Sequence, residues 1–274
     1  MNLSFHIQPN IINTTNADLY IEINAQGLSY IILDNGICLA LVIYHFNSGS
    51  SVETAAGYIH EVIKEQPVLQ QKFNKIHIIY GYVPSILVPQ EFMDGTDINA
   101  MLELVYGDAS ERITKADFMH RHARHNVYGI PVVIEQVITR YFGFAGFTHL
   151  FSLLPDVVKQ PGNHLYCIFS TGQLKVLLIK EGKLQVMQNY SYKTPEDVAY
   201  HLLNLCKSFE VNVNGLKVRL SGMIDESSAL YSELYKYFLQ SELDALPDQF
   251  QYPEEFNEYP AHYFSHLFAI AACV

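Results

Sequence analysis

The sequence predicts a mixed α/β protein (α+β in some schemes) made of two similar domains, each with three antiparallel strands, a helix and a fourth strand. The main observation is a pattern that occurs twice. Residues 19–46 and 165–192 align without a gap and show the same order of apolar runs and short polar breaks. Both copies place a glycine, Gly36 or Gly182, where a tight hairpin turn needs a positive φ. Two copies of one unit predict an internal duplication, and hence two domains.

The helix and the fourth strand of each unit are predicted from the residues that follow the hairpins. Ser51 and Thr194 precede amphipathic segments and can accept hydrogen bonds from the free N–H groups at a helix start, while Pro195 suits the first helical position. Apolar runs at residues 75–81 and 216–222 then predict the fourth strands.

The length of the chain also favours two domains, because about 150 residues are typical of one. We expect a first domain at residues 1–150 and a second at residues 151–274, with the crossing inside the proline-containing stretch 144–162. The most polar stretch, residues 106–125, is predicted to be a loop. The spacing of apolar residues predicts further helices at residues 90–105, 132–142, 227–240 and 260–273.

Composition excludes some classes of function. The net charge of −11 disfavours nucleic-acid binding, which needs a phosphate-neutralising surface. No apolar run approaches the ~18 residues of a membrane-spanning helix, and the first residues do not resemble a signal peptide. A cytoplasmic location is therefore expected, and buried reduced thiols agree with it. The cysteines lie in apolar runs without metal-ligand spacing: Cys38, Cys167, Cys206 and Cys273.

The order of strands and helices resembles the duplicated actin/hexokinase-like fold, which is built on a ribonuclease-H-like core. Three segments, 87–92 (LVPQEF), 127–131 (VYGIP) and 260–264 (PAHYF), resemble an uncharacterised bacterial domain family. That family is thought to be actin-like and similar in shape to pilus-assembly proteins of the M type. The resemblance implies an actin-like ATPase architecture over nearly the whole chain.

In active members of this superfamily, two hairpin turns with acidic residues hold the phosphates and the metal, and a strand ending in glycines contacts the adenosine. Here the first turn (residues 23–27) has Asn24 where the carboxylate is needed, and the second (residues 169–172) has no acid. The third element, residues 220–223, keeps one glycine. The resemblance implies a candidate nucleotide cleft formed by Asn24, Gln26, Gly27, Ser170, Thr171, Gly172, Ser221, Gly222 and Asp225.

Neutral Asn24 and Ser170 cannot replace the two carboxylates that position hydrated Mg²⁺. We therefore expect no cofactor and no catalytic residue, and a non-catalytic adaptor or scaffold that binds another, unidentified protein. The alternative is a divergent ATP-dependent kinase or nucleotide-binding protein, in which Asp225 supplies the lost metal contact and the backbone N–H groups at Gly27 and Gly172 bind the phosphates with Mg-ATP.

The densest group of histidines is His120, His122 and His125. Imidazoles at this spacing are weak candidates for a transition-metal site. The same residues are interrupted by two arginines, so a solvated basic loop is the favoured interpretation, and a surface for a protein partner is the other.

Overall fold

The computed structural model describes residues 1–9, 13–108 and 110–274. The chain divides into two compact units. The first unit contains residues 1–153, 248–256 and 274, and the second contains residues 154–247 and 257–273. The stretch 248–256, which the sequence assigned to the second domain, therefore belongs to the first unit.

The strands and helices alternate along the chain, as the sequence pattern predicts for a mixed α/β protein. In chain order the strands are β1 (Asn2–Ile7), β2 (Asp18–Asn24), β3 (Gly27–Asp34), β4 (Ile37–His45), β5 (Lys75–Tyr80), β6 (Ser85–Pro89), β7 (Arg112–Met119), β8 (Arg124–Pro131), β9 (Gly146–His149), β10 (His164–Ser170), β11 (Gln173–Lys180), β12 (Lys183–Ser191), β13 (Lys217–Gly222) and β14 (Ser241–Leu243). The α-helices are α1 (Val52–Glu65), α2 (Ile98–Tyr106), α3 (Val132–Phe142), α4 (Leu150–Leu153), α5 (Pro195–Ser208), α6 (Ala229–Tyr235) and α7 (Ser265–Ala271).

The first unit is built on a six-stranded mixed sheet with the order β1-β4-β3-β2-β5-β9. Its first four strands are antiparallel, whereas β2, β5 and β9 are parallel to one another. Helix α1 packs its apolar face into the core of this unit, with Ile59, Val62 and Ile63 at most 1% exposed. Ser51 caps α1 as predicted, because its side chain accepts a hydrogen bond from the N–H of Thr54.

A second, three-stranded antiparallel sheet in the same unit has the order β6-β8-β7. The prediction of a loop at residues 106–125 is wrong, since β7 occupies most of that stretch. Strand β7 is polar because it is mostly half-buried at the edge of its sheet, and Met119 is its one buried residue. Helix α2 packs on this sheet through Leu102, which lies in a small cluster with Val88 and Val127.

The second unit contains a five-stranded mixed sheet with the order β12-β11-β10-β13-β14. This order repeats the β4-β3-β2-β5-β9 order of the first unit. A β-bulge interrupts the register between Ile32 and Leu33 in the β3–β4 pair, and between Leu178 and Ile179 in the β11–β12 pair. The two sheets are mixed and are joined through helices, so the predicted α/β class is confirmed.

The hairpin turns have the backbone geometry that the sequence predicts. Gly36 and Gly182 have φ angles of 82° and 73°, and the preceding Asn35 and Glu181 are also in the left-handed region. Thr194 caps α5 through a full capping box with Asp197, in which each side chain accepts from the other residue's backbone N–H.

Of the further helices, α3 has the predicted bounds and ends at Gly143. The other three are shorter than predicted. Helix α2 begins only after Asp97, whose side chain accepts from the N–H groups of Asn99 and Ala100 and so fixes the first turn. The C-terminal segment is divided into a 3₁₀ turn (Ala261–Tyr263) and α7 rather than forming one helix.

The returning segment 248–256 lies against the β3–β4 turn of the first unit. Gln251 accepts from the N–H of Cys38 and donates to the carbonyl of Gly36, both at 2.8 Å. Phe256, near the end of the segment, is 5% exposed. Within the described residues, no helix is long and apolar enough to span a membrane.

Candidate functional site

The first candidate phosphate turn connects β2 to β3 and is held by the side chain of Asn24. Its Oδ1 accepts from the N–H of Gln26 at 2.8 Å, and its Nδ2 donates to the Glu22 carboxylate at 3.1 Å. An asparagine commonly makes such a bond to the backbone two residues later. The N–H of Gln26, which in an anion-binding turn would point at a phosphate, already has a partner in this turn.

Glycine is required on the β3 side of this turn by a close backbone contact. A Cβ atom at Gly27 would lie 2.2 Å from the carbonyl oxygen of Tyr44 on β4. At Gly81, which follows β5, a Cβ would lie 3.2 Å from the Cβ of Asn24 and 3.3 Å from Oε1 of Glu22. The turn, the Glu22 carboxylate and the end of β5 are therefore close together in the first unit.

Glu22 is an acidic residue at this turn that sequence reasoning missed. It is 6% exposed and lies between Ile21 and Ile23, both of which are fully buried. The comparison with the superfamily looked for a carboxylate at position 24 only. The available signal was a glutamate inside a strand of otherwise apolar residues, because a buried charge is costly without a specific role or partner.

The second candidate phosphate turn connects β10 to β11 in the second unit. Gly172 is in the left-handed region with a φ of 66°, Thr171 is exposed, and Ser170 ends β10. The backbone N–H of Tyr192 donates to the carbonyl of Gly172 at 3.0 Å, and the Tyr192 hydroxyl donates to the carbonyl of Ser170. These contacts tie the turn to the end of β12, and no acidic side chain belongs to the turn itself.

The third candidate element is the end of β13. Ser221 is fully buried, and its Oγ lies 3.0 Å from the carbonyl of His262, 2.8 Å from Oγ of Ser265 and 3.0 Å from Nδ1 of His266. Gly222 has a φ of 82°, and a Cβ there would lie 2.2 Å from the carbonyl of Phe169. These bonds hold the C-terminal segment against β13, so Ser221 acts in packing.

Asp225, the residue that the kinase alternative assigned to a metal, is bonded to a tyrosine. Its Oδ1 accepts from the hydroxyl of Tyr263 at 2.5 Å. This hydrogen bond, together with burial and the negative charge, raises the pKa of Tyr263 to about 12.

Replacing Asp225 by asparagine is expected to lower the pKa of Tyr263 toward its ordinary value near 10, because the carboxylate that retains the proton is removed. The folded state holds this proton more tightly than the unfolded chain. The stabilisation is therefore complete below pH ~10 and is lost as the pH rises through ~12. Titration of ¹³C-labelled tyrosine by NMR checks the shift. An unchanged Tyr263 pKa in the variant would contradict the assignment.

The three histidines of the weak metal candidate lie around the β7–β8 connection. His120 and His125 contact the Phe118 ring, with centroid distances of 4.5 and 4.8 Å, and His125 Nε2 lies 2.7 Å from Oε1 of Gln90. No set of three or more His, Cys, Asp or Glu side chains within the described residues is placed to hold a metal. The histidines thus act as ring and hydrogen-bond partners at this turn.

A buried polar network that the sequence did not indicate links the three-stranded sheet to β9. Asp117 on β7 accepts from the hydroxyls of Tyr128, Thr148 and Ser152, at 3.0, 3.0 and 2.6 Å. It also accepts from the backbone N–H of His149 at 2.8 Å. A carboxylate with four donors is well satisfied, so this network fixes the position of the small sheet.

His149 completes this network as a neutral imidazole. Its Nδ1 accepts from the N–H of Phe151 and from the side-chain amide of Asn126, so Nε2 carries the proton and donates to the carbonyl of Tyr82 at 2.9 Å. Asn126 is 0% exposed and also accepts from the hydroxyl of Ser85 on β6.

A second polar contact ties α3 to both sheets of the first unit. Glu135 accepts from the hydroxyl of Tyr80 and from Nζ of Lys115, each at 2.5 Å. Lys115 Nζ also lies 4.8 Å from the centre of the Phe147 ring. Burial and the Glu135 carboxylate raise the pKa of Tyr80 strongly, so the phenol stays protonated.

The sequence model of one protein family matches residues 8–240 and is described as "Protein of unknown function (DUF3822)". The chain belongs to this family. No curated protein matches it by sequence. The predicted resemblance to an uncharacterised domain family is confirmed.

Solved structures show the fold of this family member. It is similar to a protein from Bacteroides thetaiotaomicron with an actin-like ATPase fold and unknown function, with a TM-score of 0.80 and 17% identity over 95% of this chain and 97% of that one. It is also similar to the PilM–PilN type IV pilus biogenesis complex (TM-score 0.64, 12% identity, 93% and 96% covered). A third similar structure is the ethanolamine utilization protein EutJ from Carboxydothermus hydrogenoformans (TM-score 0.52, 11% identity, 98% and 93% covered). The chain therefore has the actin-like ATPase fold.

Proposed function

We propose that this actin-like protein is a non-catalytic adaptor that binds another protein and does not hydrolyse ATP. The observation that carries the proposal is the arrangement of Asn24, whose amide oxygen is bonded to the N–H of Gln26 and whose amide nitrogen is bonded to Glu22. A neutral amide occupied in this way offers neither charge to a hydrated Mg²⁺ nor a free turn N–H to a phosphate.

The second turn supports the same proposal. Ser170, Thr171 and Gly172 supply no carboxylate, and Asp225 is bonded to Tyr263. Phosphoryl transfer needs a metal held by acidic residues and in-line positioning of the attacking group. A similar fold occurs in the PilM–PilN complex, in which PilM is bound to another protein, and this favours a protein-binding role.

One observation favours the alternative, a divergent ATP-dependent kinase or nucleotide-binding protein. The Glu22 carboxylate lies at the first turn and accepts from Asn24 at 3.1 Å. If this carboxylate turned toward the turn, it would supply one acidic group for Mg²⁺.

Thermal unfolding with Mg-ATP, with ADP and with Mg²⁺ alone tests the proposal. No change in the melting temperature is expected at ~5 mM nucleotide. A site with a Kd near 50 μM would add about 2.7 kcal/mol under these conditions, an easily measured shift. A shift that is present in the wild type and lost in Glu22→Gln would establish the nucleotide-binding alternative. Asn24→Asp serves as the matched variant, because it restores the carboxylate at the position that the superfamily uses.

We also propose that the two halves arose by internal duplication. Strands β2, β3 and β4 have the same lengths and spacings as β10, β11 and β12, and the bulges lie at corresponding positions. Helices α1 and α5 have equal lengths. Identical element lengths with a shared bulge are more simply explained by common descent than by chance.

A reducing, cytoplasmic location is part of this proposal. Cys38, Cys167 and Cys206 are buried free thiols. Burial raises the pKa of the Cys38 thiol to about 12, so it stays protonated and unreactive. Such cysteines are typical of proteins that are not exposed to oxidising compartments.

A further inference from the structure

The outer edge of β12 in the second unit lacks the strand that covers the same edge in the first unit. There, β1 runs antiparallel to β4, from Asn2 opposite His45 to Ile7 opposite Leu41. Within the part of the chain that the structure describes, β12 pairs with β11 alone, although it is nine residues long. An edge of this length presents a row of backbone donors and acceptors.

The register shows which backbone groups face outward. The N–H of Tyr192 donates to the carbonyl of Gly172, on the β11 side. Inward and outward pairs alternate in an antiparallel ladder, so the N–H and C=O groups of Met187, Asn189 and Ser191 point away from β11. The corresponding positions of β4 are opposite β1, in the pairs Leu41–Ile7, Ile43–Phe5 and His45–Asn2.

Side chains along β12 differ from those of β4 as expected for an uncovered strand. Val42 on β4 is buried, whereas Gln188 at the corresponding place is exposed, and Tyr190 is only half-buried. Oδ1 of Asn189 is shielded from solvent and has no hydrogen-bond partner among the described residues. A polar strand with an unsatisfied acceptor is suited to reversible pairing rather than to permanent burial.

Charge indicates what kind of strand would fit. Exposed lysines stand at both ends of β12, Lys183 at its start and Lys193 just beyond its end, and the strand itself contains no acidic residue. This stretch is basic in a chain with a net charge of −11. A strand with carboxylates near its ends complements these lysines, and a second copy of β12 does not supply them.

We propose that the outer edge of β12 binds an extended, acidic segment of a partner protein as a sixth, antiparallel strand. Main-chain hydrogen bonds at Met187, Asn189 and Ser191 provide the affinity, and the lysines select acidic segments. This inference gives the proposed adaptor a binding surface and rests on that proposed function.

Amide hydrogen exchange of the free protein tests whether the edge is open. The amide of Asn189 is expected to exchange much faster than that of Ile43, its counterpart covered by β1. Equal protection of the two amides would overturn the proposal, because the β12 edge would then be covered already.

Selection from a random-peptide display library on the full-length protein tests the partner's chemistry. Selected peptides are expected to be acidic, with alternating apolar residues. Asn189→Pro removes the outward N–H while leaving the β11 ladder intact, and is expected to weaken peptide binding at least about tenfold, or ~1.4 kcal/mol. Asn189→Ala loses the same side chain but keeps the N–H, so its affinity should stay within about twofold of wild type.

Equal binding by the two variants, or selection of basic peptides or of none, would overturn the proposal. A dimer of the wild type that Asn189→Pro dissociates, measured by sedimentation, would assign the edge to self-association instead and overturn it too. The nucleotide experiment is separate: a melting shift with Mg-ATP together with edge-dependent peptide binding would reject the non-catalytic role and retain this surface.

Discussion

Replacing Asp244 by alanine is expected to lower the free energy of unfolding of the second unit by about 3–5 kcal/mol. Asp244 lies just after β14 and is 5% exposed. It accepts from the hydroxyl of Tyr166 at 2.7 Å and forms an ion pair with Arg219. Removing the carboxylate leaves a buried phenol and a partly buried guanidinium without their acceptor, and such groups are costly.

Urea denaturation followed by circular dichroism measures this loss, and hydrogen exchange of the β13 and β14 amides assigns it to the second unit. Glu242→Ala is the matched control, because Glu242 is an exposed acid on β14, and its effect should be within about 0.5 kcal/mol. A loss of less than about 1 kcal/mol for Asp244→Ala would show that the ion pair is dispensable.

Replacing Gly27 by alanine is expected to destabilise the first unit by about 3 kcal/mol or more. The added Cβ would lie 2.2 Å from the carbonyl oxygen of Tyr44, which belongs to the backbone and cannot rotate away. Strand β4 would have to separate from β3 at the first candidate phosphate turn. The melting temperature and the urea midpoint report this change.

Gly57→Ala is the control for this prediction and should have the opposite sign. Gly57 lies within α1, and no atom lies within 4 Å of a Cβ built there. Alanine is the better helix former, so the variant should be stabilised by about 0.5–1 kcal/mol. A Gly27→Ala protein as stable as the wild type would show that β3 and β4 can move apart at little cost.

Local sequence chemistry was sufficient to predict the repeated unit of this fold. Gly36 and Gly182 mark turns that need positive φ, and Ser51 and Thr194 are helix caps. Such signals depend on a few neighbouring residues, so they can be recognised without knowing the tertiary structure. The β7 strand was missed for the complementary reason: its residues are mostly half-buried, and their apolar pattern is too weak to separate a strand from a loop.

Most of the candidate site could not be predicted, because its contacts join residues that are distant in sequence. Asp117 meets Thr148 and Ser152 only after β7 is placed next to β9. The bond from Asn24 to Glu22 depends on both side chains reaching the same end of β2, which an alternating strand pattern does not specify in detail. The superfamily resemblance directed attention to position 24 and away from its neighbour.

The segment 248–256 has a consequence for how the protein is made. It contributes Gln251 and Phe256 to the first unit, yet it is synthesised after nearly the whole second unit. Since chains emerge from the ribosome N-terminus first, the first unit reaches its final set of contacts only when translation is almost finished. A nascent chain stalled at residue 153 therefore carries a β3–β4 turn whose backbone groups at Gly36 and Cys38 still await their partner.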